Sequence, residues 1–290
     1  MTTLRKIFRI SPQLTQNIAF TFLFISTLFI LIPILLILAV IFRNGYSSLN
    51  WAFITQFPKF GMRLGGILPT IIGTIYLVFG TLIFSLPVGI LAAVYLSEYA
   101  KDHWLKRVVE VAIVNLAGVP SVVYGLFGLG LFVVFLRFGA SILAGSLTLA
   151  IMSLPVIITA SREALGTVPL SFREVSLALG ATKWQTIQRT VLPNALPGIL
   201  TGTILALSRA AGETAPILFT AAAFYLPRLP RSIFDQCMAL PYHLYVITTQ
   251  VPNVKVSIQY GTALVLILLV LMMNMAAILI RAHFRKRKLW

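Results

Sequence analysis

The chain has 290 residues and a formal charge of +16, is 59% hydrophobic and 10% charged, and has a mean hydropathy of +0.95. Soluble domains run at about 25% charged residues, so a water-soluble globule is excluded, as are disordered, collagen-like and disulfide-scaffold chains. The basic excess, which in a soluble protein would point to nucleic acid, must lie in the short polar segments between apolar ones and reads as membrane topology.

Six apolar stretches occur at 17–42, 67–95, 108–136, 141–160, 196–224 and 261–280. Each reaches the ~20 residues that a helix needs to cross the hydrocarbon core. The first is too long for a signal-peptide core and is read as a retained span. The third carries Glu110 and Asn115 near its start. Membrane strands would show alternation in ~10-residue segments, so the expected fold class is an all-α polytopic membrane protein with six spans. With both ends inside, 15 of the 23 Lys and Arg fall on the inner side, 7 on the outer side, and Arg209 within a span. That bias predicts cytoplasmic termini, with 1–16 as the N-terminal segment, 17–284 as the membrane domain and 285–290 as a basic tail.

Span three carries a small-residue stripe, Ser121, Gly125 and Gly128, suited to close helix approach either within the chain or against a second subunit. Arg162 stands at the inner end of span four. It is either a positive-inside anchor or a second cation on an anion route.

Between spans four and five lies a polar stretch, about 165–195. Ser171 with Glu174 fits a capping box, and so does Thr182 with Gln185, while Gly180 stands where a first helix would end in a left-handed residue. Phe172, Val175 and Leu179 share one helical face, and Trp184, Ile187 and Val191 another. Pro193 and Pro197 are expected to set off the next span. The expectation is a short helix–Gly–helix hairpin over 171–191.

Span five holds Arg209 and Glu213, four residues apart and therefore on one helix face. A charge at mid-membrane costs at least ~2.5–3.5 kcal/mol, so such residues face a bundle interior or a wet path. Pro216 removes the N–H that would bond to Gly212, predicting a kink beside Glu213. The pair either holds the span to a neighbour or offers a guanidinium fork to a passing oxyanion.

The external stretch 225–259 is too apolar for a loose linker and is expected to pack over the outer mouth, with Cys237 as a small packing residue. The single cysteine permits no internal disulfide. His103, His243 and His283 lack metal-ligand spacing, and no G-x-x-x-x-G-K-[ST] phosphate loop occurs, so neither a metal site nor ATP chemistry is expected in this chain.

Glu174, Gly180 and Leu192-Pro193 resemble the cytoplasmic signature of binding-protein-dependent ABC importer permeases, with Val175-Ser176 in place of the usual two alanines. The run from Arg209 through Gly212-Glu213-Thr214-Ala215-Pro216 to Thr220 resembles the A-type permease subunit of phosphate importers, as do Gly118-Val119-Pro120-Ser121 and Ser161-Arg162-Glu163-Ala164-Leu165. The resemblance implies a type I importer permease fold in a bacterial inner membrane. It also implies a second, C-type permease subunit, two ATP-binding subunits that hold ATP and Mg, and an external phosphate-binding protein. Arg209, Glu213, Thr214 and Arg162 would then lie on the substrate path. Ser171, Glu174, Gly180, Thr182, Trp184, Leu192 and Pro193 would contact the ATPase. The rival readings are a permease for molybdate or sulfate, an ion-gradient-driven anion carrier, and a non-transporting scaffold.

Overall fold

The computed structural model describes residues 12–285. All but the first residue of the expected tail 285–290, and most of the expected N-terminal segment 1–16, lie outside them. In chain order the helices are α1 (Pro12–Gly45), α2 (Trp51–Thr55), α3 (Leu68–Val94), α4 (Trp104–Ala117), α5 (Ser121–Gly128), α6 (Ile142–Gly166), α7 (Leu170–Ala178), α8 (Lys183–Thr186), α9 (Leu192–Gly212), α10 (Ala215–Thr220), α11 (Leu240–Thr249) and α12 (Val256–Arg285). Two short strands, β1 (Pro58–Lys59) and β2 (Leu64–Gly65), pair antiparallel between α2 and α3.

Among the described residues five continuous helices are long and apolar enough to cross a bilayer: Gln13–Ser48, Leu68–Tyr99, Ile142–Gly166, Lys183–Gly212 and Val256–His283. The expected third span is not one rod. Trp104–Ala117 and Ser121–Phe135 are bent by 104°. Pro120 lacks an N–H and disfavours a helical Val119, so α4 stops at Gly118. The Tyr124 hydroxyl then donates to the Leu116 carbonyl at 2.8 Å and satisfies one of the carbonyls that the break exposes. None of α4's side chains is buried, in keeping with Glu110 and Asn115 being poor residues for a lipid-crossing helix.

The centre of the bundle is α6, packed between α3 and α9. Small residues permit the approach. A Cβ on Gly202 would stand 2.2 Å from the Ala160 Cβ, and one on Gly128 would stand 2.1 Å from the Thr148 hydroxyl. The helix α1 is exposed throughout its apolar window and packs on α12.

The segment between α10 and α12 is built into this body. Cys237, Met238, Ala239 and Leu240 are buried, Cys237 bonds to Ala221 and Ala223 through its backbone, and Leu240 N donates to the Thr74 hydroxyl at 2.8 Å. Its carbonyls at Ile233 and Asp235 accept from Leu143 and Ile142, capping the start of α6. Burial pushes the Cys237 thiol up to about 12 and keeps it an unreactive packing group.

Candidate translocation path and coupling elbow

The Arg209–Glu213 pair forms. Arg209 Nε donates to Glu213 Oε1 at 3.2 Å, with the Arg side chain 46% exposed and the Glu 16%. The expected kink is a complete break: α9 ends at Gly212, Glu213 is extended (φ −73°, ψ 132°), and α10 restarts with Pro216 in its first turn. Proline is tolerated there because first-turn N–H groups have no intrahelical partner. Thr214 is the half-buried residue that opens α10, and its side chain makes no cap.

The restarted helix lies on α5. A Cβ on Gly125 would come within 3.0 Å of the Ala215 carbonyl and Pro216, so glycine is what lets the two meet. Gly125 and Gly128 are therefore buried against this chain's own α10 and α6, while Ser121 is half-buried.

Arg162 is paired as well. Its Nη2 donates to Glu110 of α4 at 2.6 Å, both side chains being about a third exposed or less. A polar cavity of about 450 Å³ opens beside them, lined by Leu96, Ser97, Lys106, Thr159, Arg162 and Glu163. The pair ties the surface helix α4 to the end of α6.

The hairpin corrects two expectations. The Thr182–Gln185 capping box is present and Gly180 is left-handed at φ +83°. Ser171 with Glu174 caps nothing, because Pro169 precedes the first turn and Ser171 already lies inside α7. Nor do Pro193 and Pro197 separate the second hairpin helix from the span. A wider π-helical turn, Ile187–Val191, joins α8 to α9, giving one helix from Lys183 to Gly212. Such a turn re-registers the hydrogen bonds before Pro193, which has no N–H to offer.

The hairpin's two faces differ sharply. Ile187 and Val191 are buried with Leu96, Leu165 and Val168, and Phe172 and Leu192 pack partly against them. Leu170, Val175, Leu177, Leu179 and Trp184 are exposed, Leu179 by 83%. Glu174 is exposed and makes no ion pair among the described residues.

One part-buried contact has no counterpart in the sequence pattern. Arg173 of α7 meets Glu98, in the π-helical turn Tyr95–Tyr99 that ends α3, at 2.7 Å. The two are 75 positions apart, and no local spacing announces them. Tyr99 also lies under Lys183, whose Nζ is 4.9 Å from the ring centre.

The structure thus combines a bundle, a broken and charged span, and a helical elbow continuous with that span. The family model for "Binding-protein-dependent transport system inner membrane component" matches residues 85–289. The chain belongs to this family.

The permease is 36% identical over 286 residues to the phosphate transport system permease protein PstA 1 of Mycobacterium tuberculosis, covering 95% of this chain and 90% of that protein. It is 35% identical over 248 residues to the probable ABC transporter permease protein YqgI of Bacillus subtilis, covering 81% and 84%. Its fold matches a chain of a bacterial ABC transporter involved in the import of the acidic polysaccharide alginate with a TM-score of 0.67 at 15% identity, over 93% of this chain and 99% of that one. It matches a chain of the inward-facing MetNI methionine transporter with a TM-score of 0.59 at 20% identity, over 76% and 94%. The protein is a multi-pass inner-membrane permease component with the type I importer fold.

Proposed function

We propose that this permease is a subunit of an ATP-driven phosphate importer. The observation that carries the reading is its near full-length likeness to phosphate transport permeases. The half-exposed Arg209 at the broken span supplies matching chemistry: a planar guanidinium whose remaining donors suit phosphate oxygens. Glu213 neutralises Arg209 while the path is empty, and Thr214 offers a hydroxyl at the same break. Arg162 stands further along the path as a second cation, held back by Glu110.

The hairpin end is cytoplasmic, as are both termini. ATP and Mg belong to two partner ATP-binding subunits, and this chain contributes no catalytic group. The exposed Leu179, Trp184 and Glu174 face that ATPase, with Ser171, Gly180 and Thr182 shaping the elbow and Leu192-Pro193 at its root. A C-type permease completes the path, with Ser121 near the shared face, and an external phosphate-binding protein delivers the anion. Nucleotide closure of the ATPases biases a two-state equilibrium between outward and inward openings.

The test is reconstitution of the four-component complex in proteoliposomes with binding protein outside and ATP inside. Phosphate should accumulate, and excess sulfate or molybdate should leave its uptake unchanged. Uptake of sulfate or molybdate in preference to phosphate would assign a different oxyanion.

A further inference from the structure

The part-buried Arg173–Glu98 contact does more than pair two charges. Arg173 Nε and Nη2 donate to Glu98 Oε1 at 3.2 and 2.7 Å, Nη2 also donates to the Leu165 carbonyl at 3.0 Å, and Nη1 donates to the Val168 carbonyl at 2.7 Å. One guanidinium on the hairpin thus holds the end of α3 through Glu98. It holds the end of α6 and the turn that follows it through the Leu165 and Val168 carbonyls. Its planar fork is the side chain that can reach three acceptors in different directions, whereas a lysine presents one point charge.

A second observation points to the same turn. Lys183, at the start of the second hairpin helix, covers the ring of Tyr99, the residue after Glu98. Both hairpin helices therefore grip the Tyr95–Tyr99 turn. They are also tied to each other by the Ser176 and Thr186 hydroxyls, 2.9 Å apart. Beneath them Leu96, Leu165, Val168, Ile187 and Val191 form one apolar cluster. From Trp184 the same helix runs on to Arg209, about 40 Å along its axis. Burying such a pair costs several kcal/mol per ion, and apolar replacements of buried pairs are often as stable, so stability alone is a poor account of it.

We propose that Arg173 and Glu98 are positioning residues for energy coupling: they lock the hairpin to the inner ends of α3 and α6, so that a push on the elbow moves the helices around the path instead of bending the elbow. This rests on the importer reading above, and its first readout needs no substrate. Spin labels at Leu177→Cys on the hairpin and Leu91→Cys on α3 replace two exposed leucines that no contact named above uses, while the native Cys237 is buried and stays unlabelled.

In the full complex with Arg173 intact, the label distance should be the same with and without ATP. In Arg173→Lys, and in Glu98→Gln as the milder variant, it should split or shift by several ångströms on ATP binding. The second readout is phosphate uptake per ATP hydrolysed, which should fall at least tenfold in complexes that still assemble and hydrolyse ATP. A distance that already changes in the wild-type complex, or one that stays fixed in both variants with coupling unimpaired, overturns the lock. If Arg173→Lys does not assemble, Glu98→Gln decides alone. Absence of phosphate uptake by the wild-type complex would sink the phosphate reading and leave the distance test standing.

Discussion

Two arginine–glutamate pairs in this permease are opposites. Arg209 and Glu213 lie four residues apart across the end of α9, meet at 3.2 Å, and leave the arginine 46% exposed at a broken span. Arg173 and Glu98 come from different helices, meet at 2.7 Å with side chains 16% and 10% exposed, and add two carbonyl bonds. The first can open by a change of rotamer and leave every helix in place. The second cannot part without separating the hairpin from α3 and α6. An exposed local pair suits a passing ligand, whereas a buried non-local pair suits the transmission of force.

The contrast can be broken from the buried side first. Arg173→Met leaves Glu98 buried without its cation, a loss of about 3–5 kcal/mol. The thermal midpoint of the purified complex should drop accordingly. Arg209→Ala should leave it unchanged.

His243, on α11 and outside the spans, is a buried titratable group whose Nδ1 has no hydrogen-bond partner among the described residues. Burial lowers its pKa to about 4 from 6.5. Between those values the unfolded chain binds a proton that the folded chain refuses. Stability should therefore fall as pH drops from about 6.5 towards 4, by roughly 3 kcal/mol in all, and level off below. His243→Leu should flatten that part of a pH–stability curve.

On the exposed side, Arg209→Ala should cut ATP-driven phosphate uptake about tenfold to a hundredfold at normal complex yield, the scale of a lost charged hydrogen bond. The smallest effect is expected at the intermediate pair. A single nitrogen of Arg162 meets Glu110, so Arg162→Lys should preserve the contact and keep uptake within about threefold. A larger loss would make Arg162 a bidentate anion contact.

What could be read ahead of the structure follows this same divide between local and non-local. Apolar runs, the Thr182–Gln185 cap, the left-handed Gly180 and the Arg209–Glu213 spacing are local, and each is legible within a few residues. The Ser171–Glu174 cap was misread because Pro169 starts the helix earlier than the motif suggests. The proline at 216 announced a disturbance, but whether α9 bends or breaks depends on α10 finding a seat against Gly125, 90 positions away. The continuity of hairpin and span was hidden by Pro193 and Pro197, which read as punctuation until a π-helical turn absorbs the first of them. Glu98, Glu110 and Arg173 offered no signal beyond their charge, since their partners are set by packing alone.

The energy source separates an ABC importer permease from a gradient-driven carrier. The direct measurement is labelled phosphate entering vesicles that hold the complete complex and binding protein, energised either by internal ATP or by an imposed proton gradient without nucleotide. Uptake with ATP and none with the gradient is the predicted result. Uptake driven by the gradient alone would contradict it.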